Sequence, residues 1–189
     1  MSDTTDVIQE SVEHAHESKL NSRIAVMVAL VATFMAICNI KDGNIVQNMS
    51  QAQAHSIDAW TYFQSKSTKE AISENAMETL QTQNLFGNAQ AIQRYQDKIK
   101  TYEDEKVRIK AQAEGFAKEY DDLNVFDDQF DMTEALLSIA IAMFGITALT
   151  RKHWLFYFSA CINILGVILG VTAFLHISLH SNLISRLLG

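Results

Sequence analysis

The sequence predicts an all-α integral membrane protein with three transmembrane helices and a long antiparallel helical (coiled-coil) hairpin outside the membrane. Three observations support this class. The 189 residues include no proline and only 7 glycines, which favours long, uninterrupted helices. Three segments are apolar, with charge-free runs at residues 24–40, 135–149 and 154–176. Between the first two, apolar side chains recur every three or four residues through a charged region, a pattern typical of coiled coils.

The apolar segments are residues 24–40, 132–149 and 154–176. As a helix the first would extend about 25 Å, close to the roughly 30 Å hydrocarbon core of a bilayer. It follows an acidic segment, residues 1–23, that lacks the basic leader of a signal peptide, so we expect a retained helix. The charge-free run of the second, residues 135–149, is short for a span and reaches span length only with residues 132–134, which places Glu134 near the headgroups. A buried helix in a soluble core is the alternative. The amphipathic tail, residues 177–189, either continues the third helix or lies along the membrane surface.

Lys and Arg residues near the ends of the apolar segments predict the topology. The short basic link at residues 150–153 favours the cytoplasm, and Lys19 and Arg23 before the first segment agree with it. We therefore expect a cytoplasmic N-terminus and an external hairpin at residues 41–131. Lys41, which follows the first segment, favours the inverted topology, which stays open as the alternative.

The region between the first two apolar segments has the periodicity of two paired helices. From 92 to 130, twelve positions alternate by three and four residues, and ten of them are apolar or aromatic. A matching series runs from 45 to 63 and, after an interruption by polar residues, resumes at Met77 and Leu80. A turn near 84–88 would let the two helices pair antiparallel. The arms could pair within one chain or be exchanged between chains.

Ile57 and Trp60 lie outside the apolar series that pairs the two arms. A second apolar face on an already paired helix favours a further neighbour, so we expect a homo-oligomer. The alternative is that Trp60 packs within its own hairpin. The transmembrane segments also carry small residues at helical spacing, which allow close packing of helices. Those we expect at helix contacts are Ala25, Ala29, Ala36, Gly145, Gly166 and Gly170.

No catalytic motif is recognisable, so we expect no enzyme activity and no cofactor. The net charge of −7 argues against a nucleic-acid partner. His176 and His180 share a helix face, and His14 and His16 lie in the acidic leader, but we expect no metal site because no third ligand is near. We interpret Asn163, deep in the third segment, as an interhelical hydrogen-bonding residue.

One dozen residues in the first arm form a more specific motif. The pattern Asp-x-Trp-x-Tyr-x-Gln-x-Lys-Ser-x-Lys resembles that of the bacterial membrane-protein family catalogued as domain of unknown function four-three-three-seven. That family has a Tyr where this chain has Phe63. The resemblance implies a bacterial inner-membrane location and no known activity. The matching residues are Asp58, Trp60, Tyr62, Gln64, Lys66, Ser67 and Lys69.

Within this motif, residues spaced by four lie along one helix face, and a helix with two patterned faces suits a subunit contact. We expect a scaffold or accessory subunit whose partners are the lipid bilayer, further copies of the chain and other membrane-complex subunits. A pore-forming channel or transporter component is the alternative. The predicted contact residues are Ile57, Asp58, Trp60, Tyr62 and Lys66.

Overall fold

A computed structural model describes the backbone of residues 3–83 and 88–177, with side chains from residue 19 onward. Three α-helices follow one another: α1 at Asp3–Gln83, α2 at Ala89–Thr150 and α3 at His153–Phe174. The described residues contain no strand, which confirms the all-α class. By length and composition, each of the three helices has a stretch apolar enough to cross a membrane.

The predicted segments are joined into long helices that run through the segment boundaries. The 81-residue α1 includes most of the acidic leader, the first apolar segment and the first arm, while the 62-residue α2 includes the second arm and the second apolar segment. The chain lacks proline, so nothing removes a backbone hydrogen bond at these boundaries. Gly43 lies within α1 without ending the helix.

The described chain forms two compact units. The first, which we call the terminal unit, comprises Met1–Val46 and Asn124–Gly189, and the second, the central unit, comprises Gln47–Leu123. Most of the tail at 177–189 and residues 84–87 of the predicted turn lie outside the described residues.

The terminal unit has an apolar exterior and several polar side chains inside. Its apolar core joins Leu20 and Ile24 of α1 to Ala140 and Phe144 of α2, with Phe156 of α3 packed against them. Its exposed side chains nevertheless include many large apolar ones, while its fully buried ones include hydroxyl groups. This distribution suits a hydrocarbon surrounding better than water. The exposed apolar residues include Leu30, Ile37, Ile40, Leu149, Trp154, Tyr157, Phe158 and Ile164.

Buried hydroxyl groups of the terminal unit are satisfied by their own helices. Thr133, Thr147 and Ser159 each donate to the carbonyl four residues earlier, at 2.7–2.8 Å. Such bonds let a hydroxyl lie in an apolar interior without an unpaired donor. Polar residues in these segments are therefore compatible with an apolar surrounding.

A two-residue link joins α2 to α3. Arg151 adopts a left-handed conformation, with φ of 57°, and its N–H donates to Thr147 O at 2.8 Å. That conformation ends a helix, and the extended Lys152 then begins the next one. The short link makes the apolar parts of α2 and α3 neighbours in the terminal unit.

In the central unit, α1 and α2 contact each other along their lengths. The partners move backwards along α2 as the position advances along α1: His55 packs on Phe116, with ring centroids 5.2 Å apart, and Asn88 Nδ2 donates to Leu80 O at 3.0 Å. Between these ends, Ser56 Oγ donates to the backbone of α2. All positions of the predicted apolar series that fall in this unit are buried or half-buried.

Candidate functional site

The predicted contact residues lie on α1 of the central unit, on more than one face of the helix. Ile57 is 58% exposed and Trp60 is 38% exposed. Trp60 packs edge-on against Phe63 of the next turn, with ring centroids 5.6 Å apart, so its ring is held in place while one side stays open. Asp58 and Tyr62 are also exposed. These four side chains are accessible to a partner.

Lys66, the fifth predicted contact residue, is engaged within the central unit. Its Nζ lies 2.6 Å from Glu105 Oε2 on α2 and over the rings of Tyr62 and Tyr102, at 5.1 and 5.4 Å from their centroids. The hydrogen bond with Glu105 raises the pKa of Lys66 above its ordinary value. The structure thus separates Lys66 from the accessible residues of the motif.

Lys66 belongs to a polar layer where the apolar series of α1 is interrupted. One helical turn further, the buried Glu70 forms an ion pair with Lys106 of α2, whose Nζ also lies 5.9 Å from the Phe63 ring centroid. Two ion pairs therefore link the helices. In one, α1 supplies the Lys and α2 the Glu, and in the other the order is reversed. Such pairs favour one register, because a shift by one turn would place like charges together.

One side of the exposed surface of α1 is uncharged from residue 53 to residue 75, although Asp58, Lys69 and Glu74 are exposed beside it. We define the α1 outer face as the exposed residues between 53 and 75 that share the side of the helix with Ile57. None of them is charged, and two are large aliphatic residues. A face of this kind lacks the solvating charge of an ordinary exposed helix surface. Its members are Gln53, Ile57, Trp60, Thr61, Gln64, Thr68, Ala71, Ile72 and Asn75.

Small residues of the apolar segments fall into two groups. A Cβ placed on Gly166 would lie 2.8 Å from Leu137 Cδ2, and one on Gly170 would lie 2.9 Å from Thr133 Cγ2, so α2 approaches α3 closely at both glycines. Gly145 has no such neighbour within 4 Å, and three small residues of α1 are exposed. That exposed group comprises Ala25, Ala29 and Ala36. Their role in helix packing stays a prediction.

A group of acidic side chains lies where α1 and α2 leave the apolar segments, and the sequence argument missed it. Burial and the neighbouring charge of Asp127 raise the pKa of Asp42 to about 6. Burial and the charge of Asp131 raise the pKa of Asp127, which hydrogen-bonds to Asp42. Asp42 Oδ1 is buried without a hydrogen-bond partner. A carboxyl pair of this kind shares a proton more readily than isolated Asp side chains.

Gln129 forms a second polar junction in the terminal unit that sequence reasoning did not single out. Its Nε2 lies 2.8 Å from Thr172 Oγ1 and 3.1 Å from Leu169 O, so it links α2 to the last turn of α3. Asn163, by contrast, has a buried Oδ1 without a hydrogen-bond partner in the described chain. The interhelical hydrogen bond that we expected from Asn163 is therefore not formed within the described residues.

The histidines do not form a metal centre among the described residues, where no three His, Cys, Asp or Glu side chains are placed to hold an ion. His176 packs edge-on against Phe126, with ring centroids 5.1 Å apart. His14, His16 and His180 belong to the residues whose side chains are not described.

The fold and these sites define a class of protein: an all-α chain with three helices that are long and apolar enough to cross a membrane. A family model described as "Domain of unknown function (DUF4337)" matches residues 20–176. The chain therefore belongs to this family, as the motif around Trp60 indicates. No curated protein and no solved structure matches the chain.

Proposed function

We propose that this protein is a non-enzymatic protein of the bacterial inner membrane that self-associates through a periplasmic helical hairpin and serves as a scaffold or as an accessory subunit of a membrane complex. The uncharged α1 outer face is the observation that carries this proposal. The membrane, the hairpin and the self-association are supported by different parts of the molecule.

Membrane insertion is supported by the distribution of polarity in the terminal unit. Large apolar side chains are exposed, and the buried hydroxyl groups donate within their own helices. The basic link with Arg151 and Lys152 would lie in the cytoplasm, as would the N-terminus, since Lys and Arg concentrate on that side. The central unit would then lie in the periplasm.

An antiparallel coiled-coil hairpin is supported by the contacts of the central unit. The contact partners run in opposite directions along α1 and α2, and the predicted apolar positions are buried or half-buried. The Lys66–Glu105 and Glu70–Lys106 pairs favour this register. Long helices paired in this way form a stiff arm that suits a scaffold.

Self-association is supported by the contrast between the uncharged α1 outer face and the charged exposed surface of α2. A second copy would cover the α1 outer face, removing Ile57 and the open side of Trp60 from water. Exposed small residues on α1, such as Ala29, would let the transmembrane helices of neighbouring copies approach closely.

Native mass spectrometry of the detergent-extracted full chain tests this proposal. We expect a closed multiple of 21.2 kDa for the unmodified protein. Ile57→Asp should lower the mass toward that of one chain, because a charge would enter the covered face. Val107→Asp is the matched control, since Val107 is 72% exposed on the charged surface of α2 and its mass should not change. A multimer unaffected by Ile57→Asp would contradict the proposed contact.

A pore-forming channel or transporter component is the second candidate. It is supported by Asn163, whose unpartnered buried Oδ1 is a polar atom deep in the third apolar segment, where no charged side chain occurs. Flux through liposomes containing the full chain separates the candidates. An absence of flux at every membrane potential would reject the pore, whereas the scaffold requires none.

A further inference from the structure

A groove in the terminal unit lies at the end of the apolar segments that carries the basic residues. It has a volume of about 300 Å³ and is lined by Ser22, Arg23, Val26 and Met27 of α1 together with Phe156 of α3. Its surface is mainly apolar, and the two polar residues of its lining, Ser22 and Arg23, precede the two apolar ones along α1. Ser22 and Arg23 precede the first apolar segment, and Val26 and Met27 lie within it.

The cationic part of the groove has no acidic partner among the described residues. Arg23 is exposed and forms no ion pair in the described chain, and Lys19, one turn earlier, lies on the same side of α1. Neither residues 19–30 nor residues 143–160 contain an Asp or Glu. The charged residues within these two ranges are therefore all basic, although Glu13 and Glu17 precede them in the sequence and the whole chain has a net charge of −7.

The start of α3 adds to the positive charge of these residues. Lys152, its N-cap, makes no side-chain cap hydrogen bond, and Leu155 N–H donates to Lys152 O at 3.1 Å, so this terminus contributes the positive end of the α3 dipole. Trp154 and Tyr157 are strongly exposed in the same turn. Aromatic side chains with a polar edge are typical of the headgroup level of a bilayer.

The apolar part of the groove distinguishes its occupant from a small anion. Val26 is 57% exposed and lies one turn below Arg23, and Phe156 forms the opposite wall. A free phosphate would make no use of these side chains. A molecule with an anionic head and an aliphatic chain would contact both parts of the groove.

We propose that this groove binds an anionic phospholipid of the cytoplasmic leaflet, with its phosphate at Arg23 and Ser22 and the start of one acyl chain against Val26 and Phe156. The inference rests on the membrane insertion proposed above and does not depend on self-association. Arg23 donates to the phosphate through its planar guanidinium, a geometry that suits phosphate oxygens. Lys19 and Lys152 contribute charge at longer range.

Native mass spectrometry of the full chain with added lipid tests the groove. Phosphatidylglycerol and phosphatidylcholine of equal chain length are titrated into the detergent-extracted protein. We expect a preference for phosphatidylglycerol, with one tightly held lipid per chain. Arg23→Gln should weaken phosphatidylglycerol binding about tenfold, the scale of one charge-assisted contact, without changing phosphatidylcholine binding. Arg108→Gln, which removes an exposed Arg of α2, is the matched control and should have no effect.

Two further measurements identify the molecule that occupies the groove. Val26→Trp, which fills the groove while keeping Arg23, should also lower phosphatidylglycerol binding. Inorganic phosphate at millimolar concentration should not displace the lipid, and displacement would overturn the proposal in favour of a free phosphate site. Equal binding by Arg23→Gln and Arg108→Gln would also overturn it.

Carbonate extraction separates this inference from the proposed function. A chain that stays in the membrane pellet yet shows no lipid preference refutes the groove alone. A chain that carbonate releases from membranes refutes insertion and the groove together. A lipid-bound single chain of 21.2 kDa would refute self-association and support the groove.

Discussion

The two helices of the central unit differ sharply in charge, although they pair along their lengths. Residues 47–83 of α1 contain six charged side chains, whereas residues 89–123 of α2 contain fifteen. The inner positions of both helices are similarly buried, so the difference lies almost wholly on their outer surfaces. The exposed surface of α2 is that of a helix facing water, whereas the exposed surface of α1 has fewer charges and more apolar area.

Periodicity alone does not reveal whether the exposed surface of a paired helix is charged or uncharged. Both helices have an apolar series toward each other, which in α1 is interrupted at Lys66 and Glu70. What separates them is the chemistry of the positions left over, where α1 has Ile57, Trp60 and Ile72 and α2 has Lys, Arg, Asp and Glu. Val107 is a large exposed apolar residue on α2, and it is surrounded by charge in the sequence.

The largest expected change in the free energy of unfolding comes from a substitution in the apolar interior between α1 and α2. Ile109 of α2 is 2% exposed, so Ile109→Ala should lower the free energy of unfolding by about 3 kcal/mol, through lost burial and a cavity. Val107→Ala, two residues away and exposed, should change it by less than about 0.5 kcal/mol. Denaturant unfolding of the full chain in detergent, followed by circular dichroism, measures both. Equal effects would place the interior elsewhere on α2.

A smaller effect should come from the polar layer that sets the register of the two helices. Glu70→Gln leaves the Lys106 ammonium without its carboxylate in a half-buried position, so we expect a loss of about 1–2 kcal/mol. Glu114→Gln breaks the exposed Lys110–Glu114 pair within α2 and should cost less than about 0.5 kcal/mol. The same unfolding measurement compares them. A loss at Glu114 as large as that at Glu70 would show that the charges of α2 are not simply solvated.

Sequence reasoning predicted the all-α class and the positions that face inward, because helical periodicity reports burial directly. It also singled out Gly166 and Gly170, where α3 closely approaches α2. Its boundaries near residues 40 and 131 mark changes in composition within helices that continue through them, because neither a proline nor a cap ends the helix there.

The candidate sites were predicted less completely. Lys66 shares a motif with Asp58 and Tyr62, but spacing on one helix cannot show that Glu105 of the other helix pairs with it. The Asp42–Asp127 pair joins residues far apart in sequence, so only the fold reveals it. The sequence did contain one indication of this pair, because Asp127 interrupts the apolar series at a position that should be buried.

The smallest expected effect is a change of Tm with pH, and it comes from the acidic residues of α1 and α2 in the terminal unit. The pKa of Asp42 is raised to about 6, so the folded chain holds its proton at a pH where the unfolded chain releases it. The stabilisation is therefore complete below the ordinary Asp value of 3.8 and is lost as the pH rises through about 6. The full chain in detergent should have a higher Tm at pH 5 than at pH 7.5 through this group.

Asp42→Asn should reduce that pH dependence and raise the Tm at pH 7.5, because an amide imitates the protonated carboxyl and removes a charge facing Asp127, Asp131 and Glu134. Asp122→Asn, at an exposed position of α2, is the matched control and should leave the pH dependence as it is. The variants differ in which helix loses a carboxylate and in whether that carboxylate is surrounded by others. Identical Tm profiles for both variants would show that Asp42 is as solvated as Asp122 and that its neighbouring carboxylates do not raise its pKa.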